Sequence, residues 1–222
     1  MFHTVFFDVG GTLIAGESSL KVIAREMDGF REEEIFRYLV DEFMKIYLDP
    51  KPARFYSIKE LLALTAKMAA EHFDVADISG RAVEIYRRNH FDNDYIFDDT
   101  LPTLNKLRSD NVKIILISDA DADVLLEQLE LCGLMRYFEA TIISNMVQAY
   151  KPSDKTVAEA LKHCREPKDG ILLVGDTEVD MQTARKMKIK SALINRNGHF
   201  KHEADYYIKD LSEIFQLKEN NN

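Results

Sequence analysis

Asp8 ends the apolar run Val5-Phe6-Phe7, and the glycine pair Gly10-Gly11 follows within three residues. Ser118 ends a second apolar, β-branched run over 112–117. A third run, 138–143, ends at Ser144 and leads into a loop that holds Lys151. A fourth, 171–174, ends at Gly175-Asp176, with Asp180 four residues further on. Gathered in one place, Asp8, Asp176 and Asp180 would repel and raise one another's pKa unless a cation sat among them. A hard divalent ion with oxygen ligands, most simply Mg²⁺, removes that repulsion. Ser118, with nearby backbone N–H groups, can hold a phosphate, and Lys151 adds positive charge to it. A carboxylate nucleophile, a metal, a hydroxyl and a lysine together make a site for phosphoryl transfer. Each residue alone has a plainer role. Ser118 and Asp119 could cap a helix, Lys151 before Pro152 could be a solvated loop charge, and Asp176 and Asp180 suit a helix start. Their order at successive strand ends favours the shared site.

That site requires the strand ends to lie along one edge, as they do in a parallel sheet. From residue 94 the pattern alternates: helix 100–109, strand 112–117, helix 121–131, strand 138–143, helix 154–164, strand 171–174, helix 178–187, strand 191–194, a short strand 206–208 and a last helix near 211–215. Such alternation predicts an α/β fold with a doubly wound parallel sheet. Residues 15–93 read instead as helix after helix with no strand. Ser18 or Ser19 starts a segment carrying Leu20, Ile23, Ala24 and Met27, which Gly29 ends. Residues 32–47 carry Ile35, Leu39, Phe43 and Ile46 at helical spacing before Pro50 and Pro52 interrupt the chain. Residues 57–73 carry Ile58, Leu61, Leu62, Thr65 and Met68, and Asp77 caps a fourth helix reaching about Arg88. The expected division is a core of 1–15 with 94–222 and an inserted all-helical domain of 16–93. The polar tail 218–222 is expected to fray.

The 222 residues carry 29 Lys and Arg against 38 Asp and Glu, a net charge of −9, which makes the chain a poor general binder of nucleic acid or anionic membrane. At 46% apolar residues the chain is globular rather than disordered. Cys132 and Cys164 have no metal-ligand spacing, suggest no disulfide framework and read most simply as free buried thiols in a reducing cytosol. The opening MFHTVFF lacks the cationic start and long apolar stretch of a signal peptide. No apolar run approaches the ~18 residues of a membrane span. Charged helix faces make a monomer the default, although the helical insert could pair two chains.

The segments FFDVGGTL, LISDA, AYKPS and VGDTEVDMQTAR, in this order, resemble the haloacid-dehalogenase-like hydrolase superfamily, and within it the phosphoglycolate-phosphatase-like branch. The resemblance spans nearly the whole chain, and its last segment is the most specific. It implies a Rossmann-like core with a mobile helical cap that closes over the substrate and selects it. It implies that Asp8 is the nucleophile that becomes an aspartyl-phosphate. Ser118, Asp119 and Lys151 would bind substrate, Ser118 at the phosphoryl oxygens and Lys151 orienting the nucleophile. Mg²⁺ would be held by Asp8, the Gly10 carbonyl, Asp176 and Asp180, the last directly or through a metal-bound water. The substrate would be a small phosphorylated metabolite.

The family's phosphatase pattern places a second Asp two residues after the nucleophile, where it protonates the leaving alcohol and later activates water. Here that residue is Gly10, which has no proton to give. General acid–base help is worth roughly 10²–10⁴-fold. The expectation is a slow phosphatase, or one for acyl or aryl phosphates whose leaving groups need no proton. Glu17, Asp119 and Asp121 are candidate substitute acids. Dehalogenases of the family also lack the second Asp and use no metal. Its phosphonoacetaldehyde hydrolases use a cap lysine as a Schiff base, for which Lys45, Lys51, Lys59 and Lys67 are candidates. A binding protein with weakened chemistry is the remaining alternative.

Overall fold

The computed structural model describes residues 2–49, 53–164, 167–199 and 201–217. The chain divides into two compact units, residues 1–15 with 95–222 and residues 16–94. It opens with β1 (Thr4–Phe7) and a two-residue strand β2 (Ile14–Ala15). The second unit then supplies α1 (Ser19–Met27), α2 (Glu32–Tyr47), α3 (Ile58–Phe73) and α4 (Ala82–Asp92). The first unit resumes with β3 (Tyr95–Ile96), α5 (Thr100–Ser109), β4 (Lys113–Ser118), α6 (Ala122–Leu131), β5 (Ala140–Ile143), α7 (Ser144–Val147), α8 (Asp154–Leu161), β6 (Ile171–Gly175), α9 (Glu178–Met187), β7 (Lys190–Ile194) and β8 (Tyr206–Ile208), and a 3₁₀ turn, Leu211–Gln216, ends it.

Six strands form one sheet in the order β5-β4-β1-β6-β7-β8, and every neighbouring pair is parallel. The strand order reverses at β1, so the chain builds one half of the sheet and then the other. Alternate residues of β1 enter different layers. Val5 and Phe7 pack with Leu104 and Leu107 of α5 and Leu125 and Leu129 of α6. Phe6 packs with Val157 and Ala160 of α8 and Ala184 and Met187 of α9. Helices therefore cover both faces, which is why the strands read as continuous apolar runs rather than alternating ones.

In the helical unit, α3 begins with a capping box. Ser57 Oγ accepts from the Glu60 N–H at 3.2 Å, and the Glu60 carboxylate accepts from the Ser57 N–H at 2.8 Å. The core of this unit includes Leu20, Ile23, Ile35, Leu39, Leu61, Leu62 and Ile85. Phe43, Ile46 and Met68, expected on the same faces, are only half-buried. Asn89, buried near the end of α4, donates from Nδ2 to the Glu17 carbonyl at 2.7 Å and to Ser19 Oγ at 3.2 Å.

Several expectations need correction. Ala15 is not helical: β2 pairs antiparallel with β3 in a separate two-stranded ribbon, too short to leave a periodic signal. α1 ends at Met27, with Asp28 rather than Gly29 as its C-cap, and Ser18 makes no side-chain capping bond. Asp77 Oδ1 accepts from Ser79 N–H and starts the 3₁₀ turn Ser79–Arg81; the α-helix proper begins at Ala82. α8 stops at Leu161 rather than 164, because Lys162, His163 and Cys164 each donate to the carbonyl three residues back and tighten the end. The interruptions at Pro50 and Pro52 and the tail 218–222 lie outside the described residues. Cys132 and Cys164 are both half-buried thiols. Among the described residues, no helix is long and apolar enough to cross a membrane.

Candidate active site

Sheet register brings the polar strand ends level. Phe7 of β1 stands opposite Leu116 of β4 and Val174 of β6. Asp8 lies one residue beyond Phe7, while Ser118 and Asp176 lie two beyond Leu116 and Val174. Asp8 also extends the ladder by donating its N–H to the Val174 carbonyl at 3.0 Å. This is the edge and the point of strand reversal where open α/β sheets bind ligands.

One carboxylate oxygen from each of Asp8, Asp176 and Asp180 lies within 4.8 Å of the other two. Lys151, 5% exposed, donates from Nζ to Asp8 Oδ1 at 2.7 Å and to Asp180 Oδ1 at 2.6 Å. Asp180 is wholly buried, and its other oxygen accepts from the Thr177 N–H at 3.1 Å and the Thr177 hydroxyl at 2.5 Å. Thr177 caps α9 in return by accepting from the Asp180 N–H, so the capping box that starts the helix also fixes this carboxylate. The Thr-x-x-Asp spacing, Thr177 to Asp180, carries that signal in the sequence.

Two glycines make room for the cluster. A Cβ on Gly175 would lie 2.4 Å from Asp180 Cγ. Gly11 has φ +72°, and a Cβ there would lie 2.2 Å from Asp176 Oδ2. The close approach at the glycine turn is thus made by a carboxylate of the protein. Gly10 differs: a Cβ there would meet nothing within 4 Å, and its φ is not in the left-handed range. No backbone requirement selects glycine at position 10. Gly175→Ala is expected to destabilise the fold by about 1–3 kcal/mol, as overpacking of a filled core does, and to displace Asp180. Thermal melts and magnesium titration of the variant check this; an unchanged melting temperature would contradict it.

Burial dominates the ionisation of the cluster. It pushes the Asp8 carboxyl well above the usual range; Lys151 opposes the shift, and Asp180 and Asp176 reinforce it. Asp176 is raised to about 6, first by burial and then by Asp180. Three carboxylates with one ammonium leave excess negative charge in a desolvated place. All-oxygen donors, the spacing and that charge fit a hard divalent cation.

Ser118 ends β4 at 7% exposure, and the backbone after it is tethered by Ser144, the residue that closes the next strand. Ser144 Oγ accepts from the Ala120 N–H at 3.0 Å and lies 3.2 Å from the Ala120 carbonyl. Asp119 does not act alone in its loop: its Oδ1 accepts from the Lys151 N–H at 3.0 Å, which places the lysine's backbone. Thr156, at the start of α8, donates to the Ala149 carbonyl at 2.9 Å and braces the same loop. Asp121 is fully buried at the N-terminus of α6. Glu17 accepts from Arg25 at 2.5 and 3.0 Å, and that hydrogen bonding lowers its pKa. Of the Schiff-base candidates, Lys45 is held protonated by its bond to Glu42, Lys67 is exposed and Lys59 half-buried. Lys51 lies outside the described residues.

The profile of the haloacid dehalogenase-like hydrolase family matches residues 5–194. The chain belongs to this family and is a hydrolase. It is 25% identical over 226 residues to pyrophosphatase PpaX of Bacillus pumilus, covering 97% of this chain and 95% of that protein. It is 24% identical over 228 residues to phosphoglycolate phosphatase of Aquifex aeolicus, covering 98% and 97%. Among solved structures, the HAD-hydrolase YfnB of Bacillus subtilis, bound to magnesium, superposes with a TM-score of 0.77 at 14% identity, covering 97% of each chain.

Proposed function

We propose that the chain is a Mg²⁺-dependent phosphatase of a small phosphorylated metabolite and that Asp8 carries the phosphoryl group between two displacement steps. The observation that supports this most is the convergence of Asp8, Asp176 and Asp180 around one point, with Lys151 bridging two of them. The names of the full-length relatives, pyrophosphatase and phosphoglycolate phosphatase, support the same class of substrate.

Asp8, Asp176 and the Gly10 carbonyl would hold the ion. Asp180, whose two oxygens already accept from Lys151 and Thr177, suits support of a bound water better than direct ligation. The ion would supply charge neutralisation at the phosphoryl oxygens and shield the attacking carboxylate from the phosphate. Lys151 occupies Asp8 Oδ1, which leaves Oδ2 to attack phosphorus. Ser118 and the backbone N–H groups after it would hold the phosphoryl oxygens, with Asp119 acting through the Lys151 backbone. With no side chain at position 10, leaving groups that depart unprotonated are favoured. Residues 16–94 would serve as the substrate-selecting cap.

Purified protein is expected to hydrolyse an aryl phosphate only with Mg²⁺, with EDTA abolishing turnover reversibly; turnover insensitive to EDTA would overturn the proposal. Protons and the ion compete for the same carboxylates. A carboxyl with a pKa of about 6 is mostly protonated at pH 5 and mostly ionised at pH 7.5. Calorimetric Mg²⁺ affinity should therefore fall by about tenfold or more between pH 7.5 and pH 5. Equal affinity at the two values would remove the buried carboxylates from the ion's ligands.

A further inference from the structure

The two chemical steps at Asp8 make different demands on position 10. In the first, an Asp8 oxygen forms a bond to phosphorus, and the bond from phosphorus to the leaving oxygen breaks with its electron pair going to that oxygen. If the donor is an acyl phosphate, the leaving group is a carboxylate, stable without a proton. In the second, a water oxygen bonds to phosphorus, the Asp8–phosphorus bond breaks with its pair returning to the carboxylate, and the water's proton must go elsewhere. The choice of donor can spare the first step an acid. Nothing about the donor survives into the second step to spare it a base.

Among the described residues, the side chains that touch Asp8 or cluster with it are each held in other contacts. Lys151 presents only N–H donors to Asp8 and Asp180. Both oxygens of Asp180 already accept hydrogen bonds. The carboxylate of Asp176 sits against the Gly11 backbone, within the cation cluster. Asp119 accepts from the Lys151 N–H. Gly10 offers only a hydrogen atom, and a Cβ there would meet nothing within 4 Å, with φ outside the left-handed range.

We infer that the open, side-chain-free position at Gly10 makes Asp8 a long-lived phosphoryl acceptor, charged rapidly by acyl phosphates and discharged slowly to water, so that the phosphorylated chain is the main species during turnover. This rests on the proposed phosphatase reading and adds to it the donor class and the step that limits the rate. The proton of the slow step passes to solvent, and phosphate leaves as the hydrogenphosphate ion.

The test incubates the full chain with Mg²⁺ and acetyl phosphate, quenches in acid and weighs the intact protein. More than half of the chains are expected to carry one phosphoryl group that hydroxylamine removes, and the Asp8→Asn variant none. Gly10→Asp should hydrolyse the intermediate about 10²–10⁴-fold faster and bring its steady-state share below a tenth. The decay of the phosphorylated wild-type chain after excess donor is removed gives the same rate constant without the variant. Unmodified wild-type chains in the presence of acetyl phosphate would overturn the inference. If turnover continued in that case and required Asp8, the phosphatase reading would stand alone. Turnover that survived Asp8→Asn would remove both.

Discussion

Asp8→Asn is expected to abolish phosphate release from an aryl phosphate while raising the melting temperature of the metal-free protein. The amide cannot attack phosphorus, so the loss in turnover should reach the limit of detection. The gain in stability has a separate origin. The ionised Asp8 carboxylate is disfavoured where it sits, because burial and the charges of Asp180 and Asp176 oppose it more than Lys151 favours it. Asparagine keeps an oxygen that can accept from Lys151 Nζ and removes the charge. For a chain of this size, each kcal/mol relieved raises the midpoint by about 2–4 °C. Excess Mg²⁺ should narrow or reverse the difference, since the wild type gains binding energy that the variant lacks. An inactive variant that melts lower than the wild type in EDTA would mean that Asp8 contributes to the fold and would weaken its reading as a charge held for chemistry.

Lys151→Met should produce the largest loss of stability of any single change in the cluster. The methionine fills similar volume but leaves Asp8 and Asp180 side by side without their shared cation. Removing one partner from a buried ion pair costs about 3–5 kcal/mol, because the remaining charge is stranded. Here two carboxylates are stranded. The sign with pH follows from Asp8, whose carboxyl burial already holds well above the usual range: its protonation relieves the stranded charge, so the deficit relative to wild type should shrink as pH falls from 7.5 toward 5. Melts of the two proteins across that range check it. A deficit independent of pH would show that packing, not charge, is what the lysine supplies. Turnover should fall together with stability if, as proposed, the Lys151 bond to Asp8 Oδ1 leaves the other oxygen to face the substrate.

The core was readable because each strand is an apolar run closed by a polar residue, and because strands buried on both faces cannot be mistaken for half-exposed ones. β6, α9 and β8 lie within one residue of where their patterns place them. The ends that shifted were those governed by hydrogen bonding rather than by periodicity. Lys162 to Cys164 keep helical composition yet tighten into three-residue turns, and Asp77 caps a 3₁₀ turn instead of an α-helix. The polar residues of the cluster were legible as a set because they recur at successive strand ends. Their supports were not. The Ser144 bond to Ala120 and the Asp119 bond to the Lys151 backbone join residues 24 and 32 positions apart, a relation no local spacing encodes. The glycines show the same limit. The sequence sets Gly10 and Gly11 together as a turn, whereas the structure shows that only Gly11 must be glycine for steric reasons.

The ribbon of β2 and β3 carries an architectural implication. Ala15 pairs with Tyr95 and Ile14 with Ile96, so the chain leaves and re-enters the sheet-bearing unit through neighbouring strands, side by side. A segment spliced between them need satisfy only one demand: its own two ends must come within one strand spacing, about 5 Å. Helical pairs, hairpins and whole foreign modules meet that demand equally well. Evolution, or an engineer, can therefore exchange the guest through this single doorway while the host keeps the sheet edge that carries the carboxylate cluster.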